Sequence, residues 1–96
     1  MKCITVALDV GFEDALIKTL KNLRIESYIK LPVVHGVVDK LEPLMGSHIF
    51  PGHMVMYMVY VDEVEFPSVK DGLVQMKRRL TGKSCIICAH DIQLIE

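Results

Sequence analysis

Eight consecutive apolar residues, Met54 to Val61, constrain this chain more than any other feature. The run reads Met-Val-Met-Tyr-Met-Val-Tyr-Val and is rich in β-branched and aromatic residues, so it predicts a strand. Side chains alternate across a strand, which puts Val55, Tyr57, Val59 and Val61 on one face and Met54, Met56, Met58 and Tyr60 on the other. Both faces are apolar, and both need cover. A 96-residue chain with 51% apolar residues buries only roughly 60–70% of the surface its unfolded form exposes. One face can be covered by the chain's own helices, which leaves the other for contact between chains.

The flanking sequence supplies those helices. Cys3 to Val10 alternates larger apolar residues (Ile4, Val6, Leu8, Val10) with smaller or polar ones and predicts a first strand. A helix from about Phe12 to Leu23 follows, with Glu13 and Asp14 at its positive end and Leu16, Leu20 and Leu23 on one face. Ser27 to Val34 predicts a second strand that Pro32 restricts to an edge or a bulge. His35 to Gly52 has no sustained period, and a loop of this length is usually functional or disordered. The third strand spans His53 to Asp62. Pro67 starts a second helix with Val69, Leu73, Met76 and Leu80 at helical spacing, cations Lys77, Arg78 and Arg79 near its end, and Gly82 beyond it. Cys85 to Ile95 predicts the last strand. The order β-α-β, loop, β-α-β predicts an α+β fold in a single domain over residues 1–96. It is a ferredoxin-like βαββαβ sandwich, with two helices on one face of an antiparallel sheet.

Charge and cysteine content narrow the function classes. Eleven Lys and Arg against twelve Asp and Glu give a net charge of −1, which offers no electrostatic footprint for nucleic acid or an anionic membrane. The apolar run is far shorter than the roughly 20 residues of a membrane helix, and the first residues lack a signal-peptide core. Cys3, Cys85 and Cys88 are too few and odd in number for a disulfide framework, which fits a reducing, cytoplasmic location.

Three of the four histidines, His35, His48 and His53, fall in or beside the long loop. Neutral imidazoles suit a divalent transition metal, with His48 and His53 joined by His35, or by Glu42 or Asp39, across a subunit boundary; this spacing matches no standard motif, and the alternative is that the same residues anchor the loop. Cys85 and Cys88 stand three apart on a strand and so point to opposite faces, which excludes a shared ion or an unstrained disulfide. Thr81-Gly82-Lys83-Ser84 lacks the upstream glycine and the strand-to-helix context of a Walker A loop, yet a short basic turn with free amides suits a phosphate. The Lys77-Arg78-Arg79 run reads as a solvated helix face. No nucleophile–base arrangement or acid pair appears, so nothing in the sequence supports an enzyme.

Several of these features resemble the PII superfamily of nitrogen-regulatory PII, CutA-like and PII-like proteins. They are Met1-Lys2-x-Ile4, Leu16-x-x-x-Leu20, the strand leading to Gly36, the long mid-chain loop and Thr81-Gly82-Lys83 after the second helix. The resemblance spans nearly the whole chain. It implies a ferredoxin-like homotrimer whose sheets face one another around a threefold axis, with ligands in clefts between subunits. Val37 to Phe50 would correspond to the T-loop, with Gly36 at its base, and Thr81, Gly82 and Lys83 to the start of the B-loop that contacts ATP or ADP phosphates. The chain departs from PII proteins in lacking the further glycines and lysine of the B-loop, the C-terminal arginines and a tyrosine in the long loop. Gly46-x-His48-x-x-Pro51 resembles a divergent PII-like branch.

Two expectations follow. The first is a trimeric regulatory protein that senses a small ligand, an adenine nucleotide among the candidates, and presents residues 35–52 to a protein partner. Its anion donors would be Lys83, the amides near Gly36 and Gly82, and Lys40, with Thr81 in the same turn. The second is a CutA-like metal-binding protein that uses His35, His48 and His53.

Overall fold

The computed structural model describes residues 1–96. Strand β1 (Lys2–Asp9) passes through a short 3-10 turn (Val10–Phe12) into helix α1 (Glu13–Asn22); β2 (Tyr28–Val34), β3 (Met54–Val61), helix α2 (Phe66–Arg79) and β4 (Cys85–Asp91) follow. The sheet order is β2-β3-β1-β4 and every neighbouring pair is antiparallel. Two split βαβ units therefore interleave, as the ferredoxin-like reading predicts, and both helices pack on one face.

Register separates the two faces of β3 as alternation requires. Val55, Tyr57, Val59 and Val61 pair with Leu8, Val6, Ile4 and Lys2, and with Cys85, Leu16, Leu20, Val69, Leu73 and Met76 they form the core between sheet and helices. Met56, Met58 and Tyr60 pair on the open face with Ala7, Thr5 and Cys3. The same face carries Ile29 and Leu31 from β2 and Ile86 and Cys88 from β4. Nothing in the chain covers its centre, and Ile29 and Ile86 are 51% and 47% exposed.

Local signals set the helix ends. Pro67 sits in the first turn of α2, and Lys77, Arg78 and Arg79 fill the last, where cations favour the helix dipole. Helix α1 ends in a Schellman arrangement: the Arg24 amide donates to the Lys21 carbonyl, the Ile25 amide to that of Leu20, and Arg24 takes a left-handed φ of 57°.

Strand β4 is shorter than the sequence predicts. Its partner β1 begins at Lys2, opposite Asp91, so Ile92 to Ile95 have no neighbouring strand beyond one bond from the Ile92 amide to the Met1 carbonyl. Leu94 and Ile95 are exposed.

The long loop folds back on the sheet end. Gly36 and Leu44 exchange both backbone hydrogen bonds, and the Gly46 amide donates to the Gly52 carbonyl at 2.8 Å. Leu44 is buried with Ala7 and Met54 beside Val34, Val38 and Met56, so one apolar anchor ties the middle of the loop to the open face.

Candidate functional site

Three chain reversals meet at one end of the sheet. The Asp9 amide donates to the Ser84 carbonyl at 3.0 Å and the Val10 amide to the His53 carbonyl at 3.1 Å, which pins the turn after α2 beside the end of β1. In that turn the Lys83 amide donates to the Leu80 carbonyl, and Gly82 adopts φ +83°, a conformation that favours glycine. The Thr81 hydroxyl donates to the Arg78 carbonyl at 2.8 Å and so closes the helix end. The Lys83 ammonium stands 5.5 Å from the centroid of the Phe12 ring, a cation–π placement.

Residues 39–44 of the long loop lie against this turn and build two clefts with it. The larger, about 480 Å³, has Leu41, Val74 and Leu80 as its apolar lining and Lys77, Arg78, Lys83 and Asp39 as its charged lining, with Thr81 and Gly82 completing it. The smaller, about 280 Å³, lies between Asp9, Glu42 and Lys83, so Lys83 borders both. Three cations against one carboxylate give the larger cleft a net positive lining.

The structure thus brings Thr81, Gly82 and Lys83 together with the loop. Gly36 serves the loop base through its bridge to Leu44 and does not line the larger cleft. Lys40 lies between two lining residues, Asp39 and Leu41, but is not itself part of the lining. Lys77, Arg78 and Asp39 are site residues the sequence reading missed. Lys77 and Arg78 are exposed, as a solvated helix face requires, and they also border the cleft: Val74, Lys77, Arg78 and Thr81 follow i, i+3, i+4, i+7, and that stripe was the available signal.

Within one chain the three histidines lie apart. His35 packs against Gly46, where an added Cβ would stand 2.5 Å from Nε2. His48 is exposed on a turn closed by the Ser47 amide to the Phe50 carbonyl. His53 is half-buried at the start of β3. Within the chain no three His, Cys, Asp or Glu residues are grouped to hold a metal ion. The cysteines behave as strand geometry requires: Cys85 is buried, which pushes its thiol pKa up, while Cys88 is exposed on the other face.

Behind Phe12 lies a polar network that the sequence does not reveal. Tyr57, 2% exposed, donates its phenol to Glu13 Oε2 at 2.6 Å, and Lys30 Nζ contacts the same oxygen at 2.6 Å. Lys30 and then Tyr57 hold the Glu13 carboxyl below its ordinary value, while burial and then Glu13 push the Tyr57 phenol well above its own. The network ties the edge strand β2 and the central strand β3 to the start of α1. Glu13→Ala is expected to destabilise the fold by about 1–3 kcal/mol, because the buried phenol loses its acceptor. Lys30 is partly exposed and its share is screened. The stabilisation from the lowered Glu13 pKa is fully present above the ordinary value of 4.5 and is lost as pH falls through the lower folded value. Urea titrations between pH 3 and pH 7 should therefore show an acid-side loss that is smaller in Glu13→Gln.

No protein-family model matches the sequence, and no curated protein matches it. Solved structures do. CPII from Thiomonas intermedia K12, a nitrogen-regulatory PII-like protein, superposes with TM-score 0.77 at 16% identity, over 97% of this chain and 86% of that one, in a structure bound to ADP, AMP and bicarbonate. A second CPII structure, bound to ADP, AMP and acetate, gives 0.66 at 20% identity, over 99% and 88%. A PII-like signalling protein from Thermus thermophilus gives 0.64 at 16% identity, over 93% and 83%. At these identities the likeness carries the architecture, and with the strand order and helix placement described above it establishes that the chain has the PII-like fold.

Proposed function

We propose that the protein is a non-enzymatic PII-like regulatory module that assembles as a homotrimer, binds an adenine nucleotide through the Lys77–Arg78–Lys83 cleft and signals through residues 35–52. The observation that carries this reading is the joint construction of that cleft by the long loop and the turn after α2. A ligand there touches the loop directly, so its differential affinity for two loop positions can shift their populations. CPII structures hold ADP, AMP and bicarbonate, and the cations here suit the phosphates of the first two. The Gly82 amide and Lys83 are the donors on the turn. Val37, Met45 and Ile49 on the loop are 56%, 44% and 79% exposed, which offers apolar contacts to a protein partner.

Assembly is supported by the open face and by the sheet edges. Ile29, Leu31, Met58, Tyr60 and Ile86 form an apolar surface that neither helix covers, and β2 and β4 each leave one edge unpaired. Edges exposed on both sides of a sheet suit head-to-tail pairing that closes into a ring. Calorimetric titration with ATP, ADP, AMP and bicarbonate tests the ligand. Saturable heat with at least one adenine nucleotide is the expected result, and no heat with any of them contradicts the reading.

A further inference from the structure

We propose that Asp39 is an internal competitor for the anion cleft. In the unliganded chain its carboxylate holds the Val38–Leu41 turn over Lys77, Arg78 and Lys83, and an entering anion takes its place and releases the turn. The proposal rests on the reading of that cleft as an anion site and adds how the site and the loop communicate.

Three observations carry it. Asp39 is the one carboxylate lining the larger cleft, and it shares that lining with three cations, Lys77, Arg78 and Lys83. It belongs to the loop, whereas all three cations belong to α2 and the following turn, so their attraction acts between two separate segments of the chain. The turn is also strained: Asp39 and Lys40 are consecutive non-glycine residues at φ 50° and 60°, and Lys40 in particular has no short polar side chain to ease the left-handed conformation. Local bonding offsets part of that strain, through the Leu41 amide to the Val38 carbonyl at 2.9 Å and the Gly36–Leu44 bridge. Attraction across the cleft supplies a further hold.

That hold is reversible by construction. None of the chain's direct ion pairs involves Asp39, and the residue is exposed, so its attraction acts across solvent and weakens with salt. A phosphate brings more negative charge to the same cations than one carboxylate does. Once it is seated, the cations are satisfied, Asp39 is repelled, and the strained turn loses its outer support. Asp39→Asn isolates the charge, because asparagine keeps the size of the side chain and tolerates the left-handed conformation.

Two readouts on the intact chain test the idea, with pyrophosphate as the probe. Without ligand, amide hydrogen exchange at Gly36, Leu41 and Leu44 should be several-fold faster in Asp39→Asn than in the wild type at low salt, with the difference shrinking as salt is added. In calorimetry, Asp39→Asn should bind pyrophosphate at least about fivefold more tightly, the lower end of ordinary coupling between sites. The gain should disappear in an Asp39→Asn, Lys77→Met, Arg78→Met variant compared with the Lys77→Met, Arg78→Met background. Unchanged exchange and unchanged affinity in Asp39→Asn overturn the role of Asp39 and leave the anion site standing. Absence of pyrophosphate heat in both proteins overturns the site itself, and the competition with it.

Discussion

Met58→Asp is expected to abolish assembly and leave a destabilised monomer. Met58 lies in the middle of the open face, paired with Thr5 on β1 and Ile29 on β2. Under the proposed assembly this surface is buried between copies, where an unpaired carboxylate costs several kcal/mol. The substitution appears in every copy, so a closed ring meets the penalty at each interface. Tyr57 and Val59, the neighbours of Met58 in sequence, belong to the helix-side core, which the new carboxylate does not enter. Helical and strand content should therefore survive while the mass measured by light scattering falls to that of one chain. Met58→Leu, which retains an apolar side chain of similar volume, should assemble as the wild type does. An assembled Met58→Asp protein would show that the open face is not the interface.

Lys83→Ala is expected to weaken adenine-nucleotide binding by about tenfold or more, with little change in melting temperature. A charge-assisted hydrogen bond contributes roughly 1.5–3 kcal/mol, and each 1.4 kcal/mol is a factor of ten in affinity. The Lys83 side chain is exposed and its one specific contact is the Phe12 ring, so the fold depends on it little. Lys83→Arg keeps the charge and should retain most of the affinity. Equal binding by Lys83→Ala and the wild type would move the ligand away from this turn.

Much of the fold was legible because its signals are local and periodic. The two faces of β3 and the opposite orientations of Cys85 and Cys88 follow from a period of two. The positions of both helices follow from apolar spacing together with Pro67 and the terminal charges. What the sequence hid depends on partners distant in the chain. Where β4 stops is set by β1, and the link between Tyr57 and Glu13 joins residues 44 positions apart. The left-handed Arg24 carries no glycine to announce it.

The candidate site was half legible for the same reason. Thr81, Gly82 and Lys83 stand out as a short basic turn, but Lys77 and Arg78 gain meaning only when the turn folds the loop beside them. Asp39 has no motif at all and is placed by the Gly36–Leu44 bridge and the burial of Leu44. The histidines show how little proximity in sequence fixes: within one chain His35 packs against Gly46, while His53 precedes the third strand.

Assembly and ligand binding stand together in the proposed function, and native mass spectrometry of the protein with and without ADP reads both in one spectrum. The predicted result is a species of three chains that takes up as many as three ADP molecules, with uptake lost in Lys83→Ala. A single chain that binds no nucleotide would contradict both the assembly and the ligand.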